Sequence, residues 1–591
     1  MFCNQAKLEK PNADHSRPGR MDHPLTLILV FFGWSNKNRH RVDDSKIFPS
    51  LQTNNIKKGA FMKSIKNKSP KDSTVYLIGS GIASLASAVY LIKDAGMPGQ
   101  NIHILEKDEI LGGALDGAGD AEKGFVVRGG RMHEMHYTCY WDLLSYIPSF
   151  EDPKVSVRDE SFDFNERFVS NAQARLLKAG KKLDVSSYGL NLHQQTELLK
   201  LTFVSEKSLG NKRIEDWFDQ DFFTTNFWYI WTSMFAFQKW SSLAEMRRYM
   251  KRFIHLVEGL NRLGGVMRTK YNQYHSVVVP MKNYLTEKGV HFDLGKEVVD
   301  IDFNLSADKK SATVIHLKDK NEIVLRENDY VFITNGSLTE STDNGTWDTP
   351  AKLKGLAEAG SWQLWKKLAA KDAAFGKPGP FCDNIDLQKW YSFTATLKDS
   401  TFHDHMENFS GNVDGTGGLV TLTDSNWLMS FVIARQPHFP NQAKDVKIFW
   451  GYGLYPDRKG NFVNKTMAEC TGKEMLEELW YHLKIQDLMN PVMEAGKVNC
   501  IPVAMPYVDS LFMPREIGDR PDVLPAGATN FAFLGQFAEA PKDCVFTVEY
   551  SVRTAQMAVY GLFETGKEVM PVYDSIHRPE VLIKAAQAIS R

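Results

Sequence analysis

The stretch "VVRGGRMHEMHYTCYWD" (Val126–Asp142) carries Arg128, Arg131, His133, Glu134 and His136 in close succession. An imidazole or carboxylate can take or give a proton when burial or a neighbouring charge shifts its pKa. A guanidinium can hold an anion. Tyr249 is a further group able to move a proton. It sits in "SLAEMRRYMKRFIHLVEGLNRL", whose spacing predicts one long helix with an apolar stripe through Leu243, Met246, Met250, Phe253, Ile254, Val257 and Leu260. Tyr249 lies at the edge of that stripe and, by residue type and spacing alone, reads as a core tyrosine. Its neighbours Arg247 and Arg248 are either surface charge or cations for an acidic group.

A different chemistry is written in "STVYLIGSGIASLASAVYLIKDAGMPGQNIHILEKD" (Ser73–Asp108). An apolar strand leads into Gly79-x-Gly81-x-x-Ser84, a helix follows, and a second strand ends in Glu106. The first glycine permits a tight turn and the second lets backbone approach a pyrophosphate. The third position needs a small residue for helix–strand packing, which Ser84 supplies. The helix N-terminus faces the phosphates with its positive end, and an acid at the second strand end can bind ribose hydroxyls. This is a βαβ dinucleotide site. The loop "LGGALDG" follows, with Gly112 and Gly113, and near the far end of the chain "NFAFLGQFAEA" carries Gly535. A glycine loop just past the acid, with a late strand and glycine turn, is similar to the two-dinucleotide-binding-domain flavoproteins and implies FAD. No second complete fingerprint for a nicotinamide cofactor is found.

These sites need a scaffold. At 591 residues the chain exceeds a single core. "GVHFDLGKEVVDIDFN", "DYVFITNGS" and "NFAFLGQFAEA" read as further strands of the same parallel sheet. The expected class is therefore α/β, with a discontinuous Rossmann-like FAD domain at 72–150, 271–345 and 500–562. Substrate domains are inserted at 151–270 and 346–499, and a C-terminal helical segment spans 563–591. Residues 1–71 are expected to be a disordered extension, since 14 Lys or Arg stand against 6 Asp or Glu through Asp72. Its apolar run "PLTLILVFFGW" is short of the ~20 residues that span a bilayer and lacks a clear signal-peptidase site. Met21 and Met62 offer later starts. Formal net charge is zero, and no nucleic-acid-binding motif, HExxH, paired-Cys metal site or G-x-S-x-G is present, so nucleic acid, metal and serine-hydrolase roles are not expected. The six cysteines show no CxxC and read as reduced thiols of a cytoplasmic protein. Aromatic residues make up 12%, concentrated in runs such as "FWYIWTSMFAFQKW" (Phe227–Trp240). That is either a large aromatic core or a long apolar cavity.

Several motifs together resemble one family: "YLIGSGIASLASA", "GGALDG", "VVRGGR", "FWYIWTSMFAFQKWSSLAEMRRYMKRF", "KYNQYHSVVVPM", "FITNGSLTESTDNG", "MPREIGDRP" and "VFTVEYSVRTA". They are similar to the oleate hydratases, once called myosin-cross-reactive antigens, from about Ser73 to Leu562. The resemblance implies an FAD-containing hydro-lyase that adds water to the cis-9 double bond of a free unsaturated fatty acid, giving a 10-hydroxy acid with no net redox change. It implies Tyr249 as the acid that protonates the alkene, Arg131 and Val298 beside the glycines as cofactor contacts, and Gln273 near the fatty acid. A peripheral membrane contact through the C-terminal helix or basic tail, and a homodimer, are compatible with it.

Two departures matter. The family pattern puts a water-activating glutamate directly after Arg-Gly-Gly-Arg, and here that residue is Met132, whose thioether takes no proton. Three arrangements remain open: Glu134 or His133 takes over, water is held by flavin and backbone groups, or hydration is weak or lost. In "SFVIARQPHF", Val432 and Ala434 stand where the family has Thr and Asn to hold the carboxylate, which leaves Arg435 and His438 as the expected anchors. The alternatives are a flavin-dependent fatty-acid isomerase or oxidoreductase, and a non-catalytic FAD and fatty-acid binding protein.

Overall fold

The strand Val75–Ile78 (β1), helix Ile82–Lys93 (α1) and strand Ile102–Leu105 (β2) form the expected βαβ unit in the computed structural model, which describes residues 69–591. The expectations for the N-terminal extension lie almost wholly outside the described residues. Strands His291–Asp293 (β3), Tyr330–Thr334 (β4) and Phe531–Leu534 (β5) complete a five-stranded sheet in the order β5-β4-β1-β2-β3. Every pairing in it is parallel. β1, β4 and β5 are runs of buried apolar residues, as a sheet covered on both faces requires. From β1 the chain moves outward to β2 and β3, then returns to β4 on the other side. The strand order thus reverses between β1 and β4, and such switch points open a crevice at the carboxyl ends of the strands.

The β3–β4 connection differs from expectation. "VVDIDFN" does not join the parallel sheet. Val298–Leu305 pairs antiparallel with Lys310–Leu317, which pairs with Glu322–Val324. The physical reason is its pattern: Asp300, Asp302 and Asn304 alternate with Ile301 and Phe303, so only one face can be buried, which suits an antiparallel strand.

The two expected insertions share one eight-stranded sheet. Leu176–Lys178, from the first, pairs parallel with Val420–Leu422 from the second. Its central strand, Trp390–Leu397, is buried along its whole length. The hairpin Gly117–Asp120/Gly124–Val127 lies against that strand, where Phe125 and Val127 donate their amides to Thr396 and Thr394 at 3.0 and 3.2 Å. This contact aims the Arg128–Arg131 segment at the boundary between the two sheets. The described residues fall within one compact unit.

The helix carrying Tyr249 is shorter than its spacing predicts. Helix Leu243–Phe253 (α2) is capped by Ser242, and the chain then tightens into 3-10 turns over Ile254–Arg262. Gly259 and Gly264 meet there so closely that a Cβ on Gly259 would lie 3.0 Å from the Gly264 Cα, an approach that favours two glycines. Helix Val548–Leu562 (α3) packs on α1, with Gln556 donating to the Tyr90 hydroxyl at 3.0 Å. The C-terminal segment does contain a helix, Pro579–Ile589, docked on Ile254–Arg262 through Leu582, Ala585 and Ala588. The five cysteines among the described residues are free. No helix of the described residues is long and apolar enough to cross a membrane.

Candidate active site

A cavity of about 690 Å³ occupies the crevice at the carboxyl ends of β1 and β4, within the ~300–1,000 Å³ range of ligand and cofactor sites. Gly79, Gly81, Glu106, Gly112, Gly113, Arg131, Val298 and Gly535 all line it. Each is there for a local reason. Gly79 has φ +84°, a conformation that favours glycine, and makes the turn out of β1. A Cβ on Gly81 would meet nothing within 4 Å, so the backbone there borders open space. Gly81 also begins α1 with no side-chain cap and no acid in the first turn. The first amides of α1 are therefore left for a ligand, the arrangement that binds phosphate. Gly112 (φ +105°) brings the second glycine loop alongside, its amide donating to the Ser80 carbonyl at 3.2 Å. Ser84 is the one cofactor residue of the sequence reading that does not border the cavity. It is fully buried 3.4 Å from the Thr334 hydroxyl, joining α1 to β4, which is the packing role its position predicts. Glu106 caps the turn by accepting from the Ser80 amide and hydroxyl at 2.9 and 2.6 Å.

Beyond Arg131 lies a second chamber, of about 90 Å³. Arg128, Arg131, Phe546, Thr547 and Val548 border both. Here the structure brings together Tyr249, Met132, His133 and Glu134. A third space, of about 30 Å³, shares Gly130, Arg131, Val432 and Trp450 with the second and gathers Gln273, Arg435 and His438. Arg131 thus lines all three chambers. These chambers are tight against the ~300 Å³ that a ligand site usually offers. The run Phe227–Trp240 is mostly packed core, with Trp228 and Trp231 fully buried. Only Ser233, Met234, Phe235 and Ala236 of that run reach the chamber.

Tyr249 is held by rings of Phe235, Phe237, Phe253 and Phe512 at centroid distances of 5.0 to 5.7 Å. Its hydroxyl donates to the Val545 carbonyl at 2.6 Å. Burial raises its pKa well above 10, so it carries its proton. Burial pushes the neighbouring Arg131 guanidinium down to about 10, partly offset by Asp116 and Tyr249. Arg131 has no carboxylate in direct contact among the described residues; it donates to the Ala114 carbonyl at 3.1 Å.

The two groups expected to replace the missing glutamate behave differently. Glu134 is buried and ion-paired, with hydrogen bonds to one oxygen and an ionic contact to the other. Arg252 lies 3.0 Å from one oxygen, and the His136 amide and Nδ1 reach the other at 2.7 and 2.9 Å. His255 adds a contact at 3.4 Å. Desolvation opposes the charge, but hydrogen bonds from His136 and His255 and the Arg252 cation outweigh it, holding the carboxylate well below its usual range. It is a weak base in a fixed place. Arg252 also approaches Asp543 at 3.6 Å, and Asp543 pairs with Arg553 at 2.6 Å, so Glu134 belongs to a buried ionic chain. Its ligand atoms and those of His136 and His255 lie within 4.8 Å of one another, a metal-like grouping. The Arg252 cation already neutralises its carboxylate. His133, in contrast, has both ring nitrogens buried and unpartnered. Desolvation, with Arg268 and Arg131 nearby, pushes it down to about 3, so the ring is neutral. Met132 borders the same chamber.

A family model for the MCRA family matches residues 72–560. The chain belongs to the MCRA family. It is 42% identical over 539 residues, 89% of this chain and 91% of the relative, to an oleate hydratase from Streptococcus pyogenes serotype M49 (strain NZ131). It is 34% identical over 564 residues, 87% of this chain and 98% of the relative, to a linoleate hydratase from Lactiplantibacillus plantarum. An oxidoreductase structure from Methanosarcina mazei covers 82% of this chain and 100% of its own at 11% identity and a TM-score of 0.45. The fold assignment above rests on the strands themselves.

Several residues of this MCRA site escaped the sequence reading. Ser80 and Thr334 line the large cavity, and both follow from the strand–turn grammar, as the turn residue after β1 and the last residue of β4. Thr547 and Val548, where α3 begins, come from a distant segment with no local signal. Arg268 lines the third chamber and looks in sequence like any surface arginine.

Proposed function

We propose that the protein is an FAD-dependent hydratase of free unsaturated fatty acids, adding water to the cis-9 double bond of oleate or a close relative. The observation that carries this reading is that neighbouring chambers share the wall formed by Arg131, with the dinucleotide cradle in one and Tyr249 in the other. The uncapped α1 amides, the open face of Gly81 and Glu106 fit a dinucleotide, and the second glycine loop favours FAD. When bound, FAD would supply polar groups to the site, with no net redox change.

In this reading Tyr249 gives its proton to one alkene carbon and Arg131 steadies the phenolate that forms. Water adds to the other carbon, and its released proton returns the phenolate to tyrosine. His133 is the neutral, unpartnered group facing the chamber, so it orients the water with the backbone of Gly130–Met132. Glu134 acts at one remove, by fixing Arg252 and the Asp543 loop that carries Val545. An acyl chain gains ~0.8 kcal/mol per buried CH₂, enough to shift the flexible side chains of Met132, Met234 and Leu256 and widen the chambers. Gln273 and His438 receive the carboxyl end. The reading is tested by incubating the FAD-loaded protein with oleate and looking by mass spectrometry for a product heavier by one water. Bound FAD and bound oleate without such a product would refute it and leave the binding-protein alternative.

A further inference from the structure

Val432 and Ala434 face the third chamber and offer a carboxylate nothing to bond to. The sequence reading assigns that task to Arg435, but the structure engages Arg435 elsewhere. Its guanidinium lies over the Phe168 ring at 4.3 Å. It also has an acid close by: Asp414, pushed up to about 6 by burial, feels Arg435 as one of its compensating cations. A different arginine lines the same chamber. Arg268 reaches it from the turn after Met267, whose backbone pairs with His133 through bonds of 2.9 and 2.8 Å. The one acceptor that its guanidinium bonds among the described residues is the neutral Gly418 carbonyl. No carboxylate lies within ion-pair distance of it among the described residues. Burial alone pushes its pKa down to about 10, with no acid offsetting it. A half-buried guanidinium with no counter-ion among the described residues favours an anion that arrives to pair with it. Beside it, His438 is neutral, held down to about 4 by burial and by Arg268 itself, and its Nδ1 is buried without a partner.

We infer that Arg268, with His438 beside it, is the anchor for the substrate carboxylate, and that it makes this chain selective for free acids over their esters. The inference deepens the hydratase reading and rests on it. An Arg–carboxylate contact is charge-assisted and can be bidentate. It replaces the neutral hydrogen bonds lost at Val432 and Ala434 with an ionic one.

The test uses the full FAD-loaded protein and isothermal titration with oleate and methyl oleate. Wild type should bind the acid at least tenfold more tightly than the ester. Arg268→Gln should bind oleate roughly 30-fold or more weakly, the low end for removing one partner of a buried charge pair, and should lose the acid–ester preference. Arg435→Gln should change either affinity less than threefold. Arg268→Lys keeps the charge without the fork, so it should retain part of the preference and serves if the glutamine variant does not fold. Wild-type affinity for oleate in either folded Arg268 variant, or loss of the preference in Arg435→Gln, would overturn the anchor while leaving the hydratase reading intact. Wild type that binds neither lipid would sink the fatty-acid reading and the anchor with it.

Discussion

Replacing Met132 by glutamate should speed hydration. Met132 borders the chamber of Tyr249, and glutamate has nearly its length. The new carboxylate would sit next to Arg131, a buried cation held down to about 10 with no acid in direct contact among the described residues. That offsets the cost of burying it. In the present site the group that orients the water is the neutral His133, and burial leaves it a weak base. A carboxylate at position 132 would add a general base in direct contact with the water, and positioned general bases provide ~100-fold at the low end. Arg131 beside it lowers the basicity of that carboxylate, so the expected gain in kcat is at most about 100-fold. The assay is the initial rate of hydroxy-acid formation at saturating FAD and oleate, read by mass spectrometry, with Met132→Gln as the control that copies shape without basicity. Equal rates in the two variants, with unchanged affinities for FAD and oleate, would show that residue 132 does not border the water and would refute the reasoning.

Tyr249→Phe should slow turnover at least ~100-fold while FAD absorbance stays native; unfolding should become easier by only ~1–2 kcal/mol, for the hydrogen bond to Val545. Gly81→Val projects a side chain into the empty cradle and meets no protein atom at its Cβ, so the purified protein should lose bound flavin while the apoprotein melts at the wild-type Tm. Glu134 is depressed in the fold, so its pairing stabilises the protein above the unfolded value of ~4.3 and that contribution is lost as pH falls below it. Glu134→Gln should cost ~3–5 kcal/mol at pH 7 and flatten the acid limb of urea-unfolding stability. His133 is neutral in the fold at about 3; its contribution is complete above ~6.5 and falls as pH drops from there, so His133→Asn should reduce the loss of stability between pH ~6.5 and ~5, to which the depressed His403 and His438 also contribute, while slowing turnover.

The cofactor half of the site was legible because its grammar is local. A strand, Gly79-x-Gly81, a helix and an acid at the next strand end lie within one βαβ unit, and backbone sterics alone dictate what each must do. The parallel strands could likewise be read from continuous apolar runs, whereas "VVDIDFN" went to a separate antiparallel sheet because its alternation permits only one buried face. The substrate half was not legible in this way. His133 and Glu134 are adjacent in sequence and equal candidates there, and only packing separates them. Arg252, His136 and His255 converge on Glu134 from other elements, while both ring nitrogens of His133 are left unpaired. Arg435 and Arg268 are two arginines with the same intrinsic charge, and only their surroundings distinguish them: Phe168 and Asp414 attend the first, and no acid among the described residues attends the second. Residue types and local spacing determined the glycine cradle of the βαβ unit, whereas by those signals alone Tyr249 is a core tyrosine and only the family resemblance marks it as an acid. Which buried group stays unpaired, and so remains free for water or a carboxylate, depends on desolvation and long-range contacts, and those come into being only when distant segments fold together.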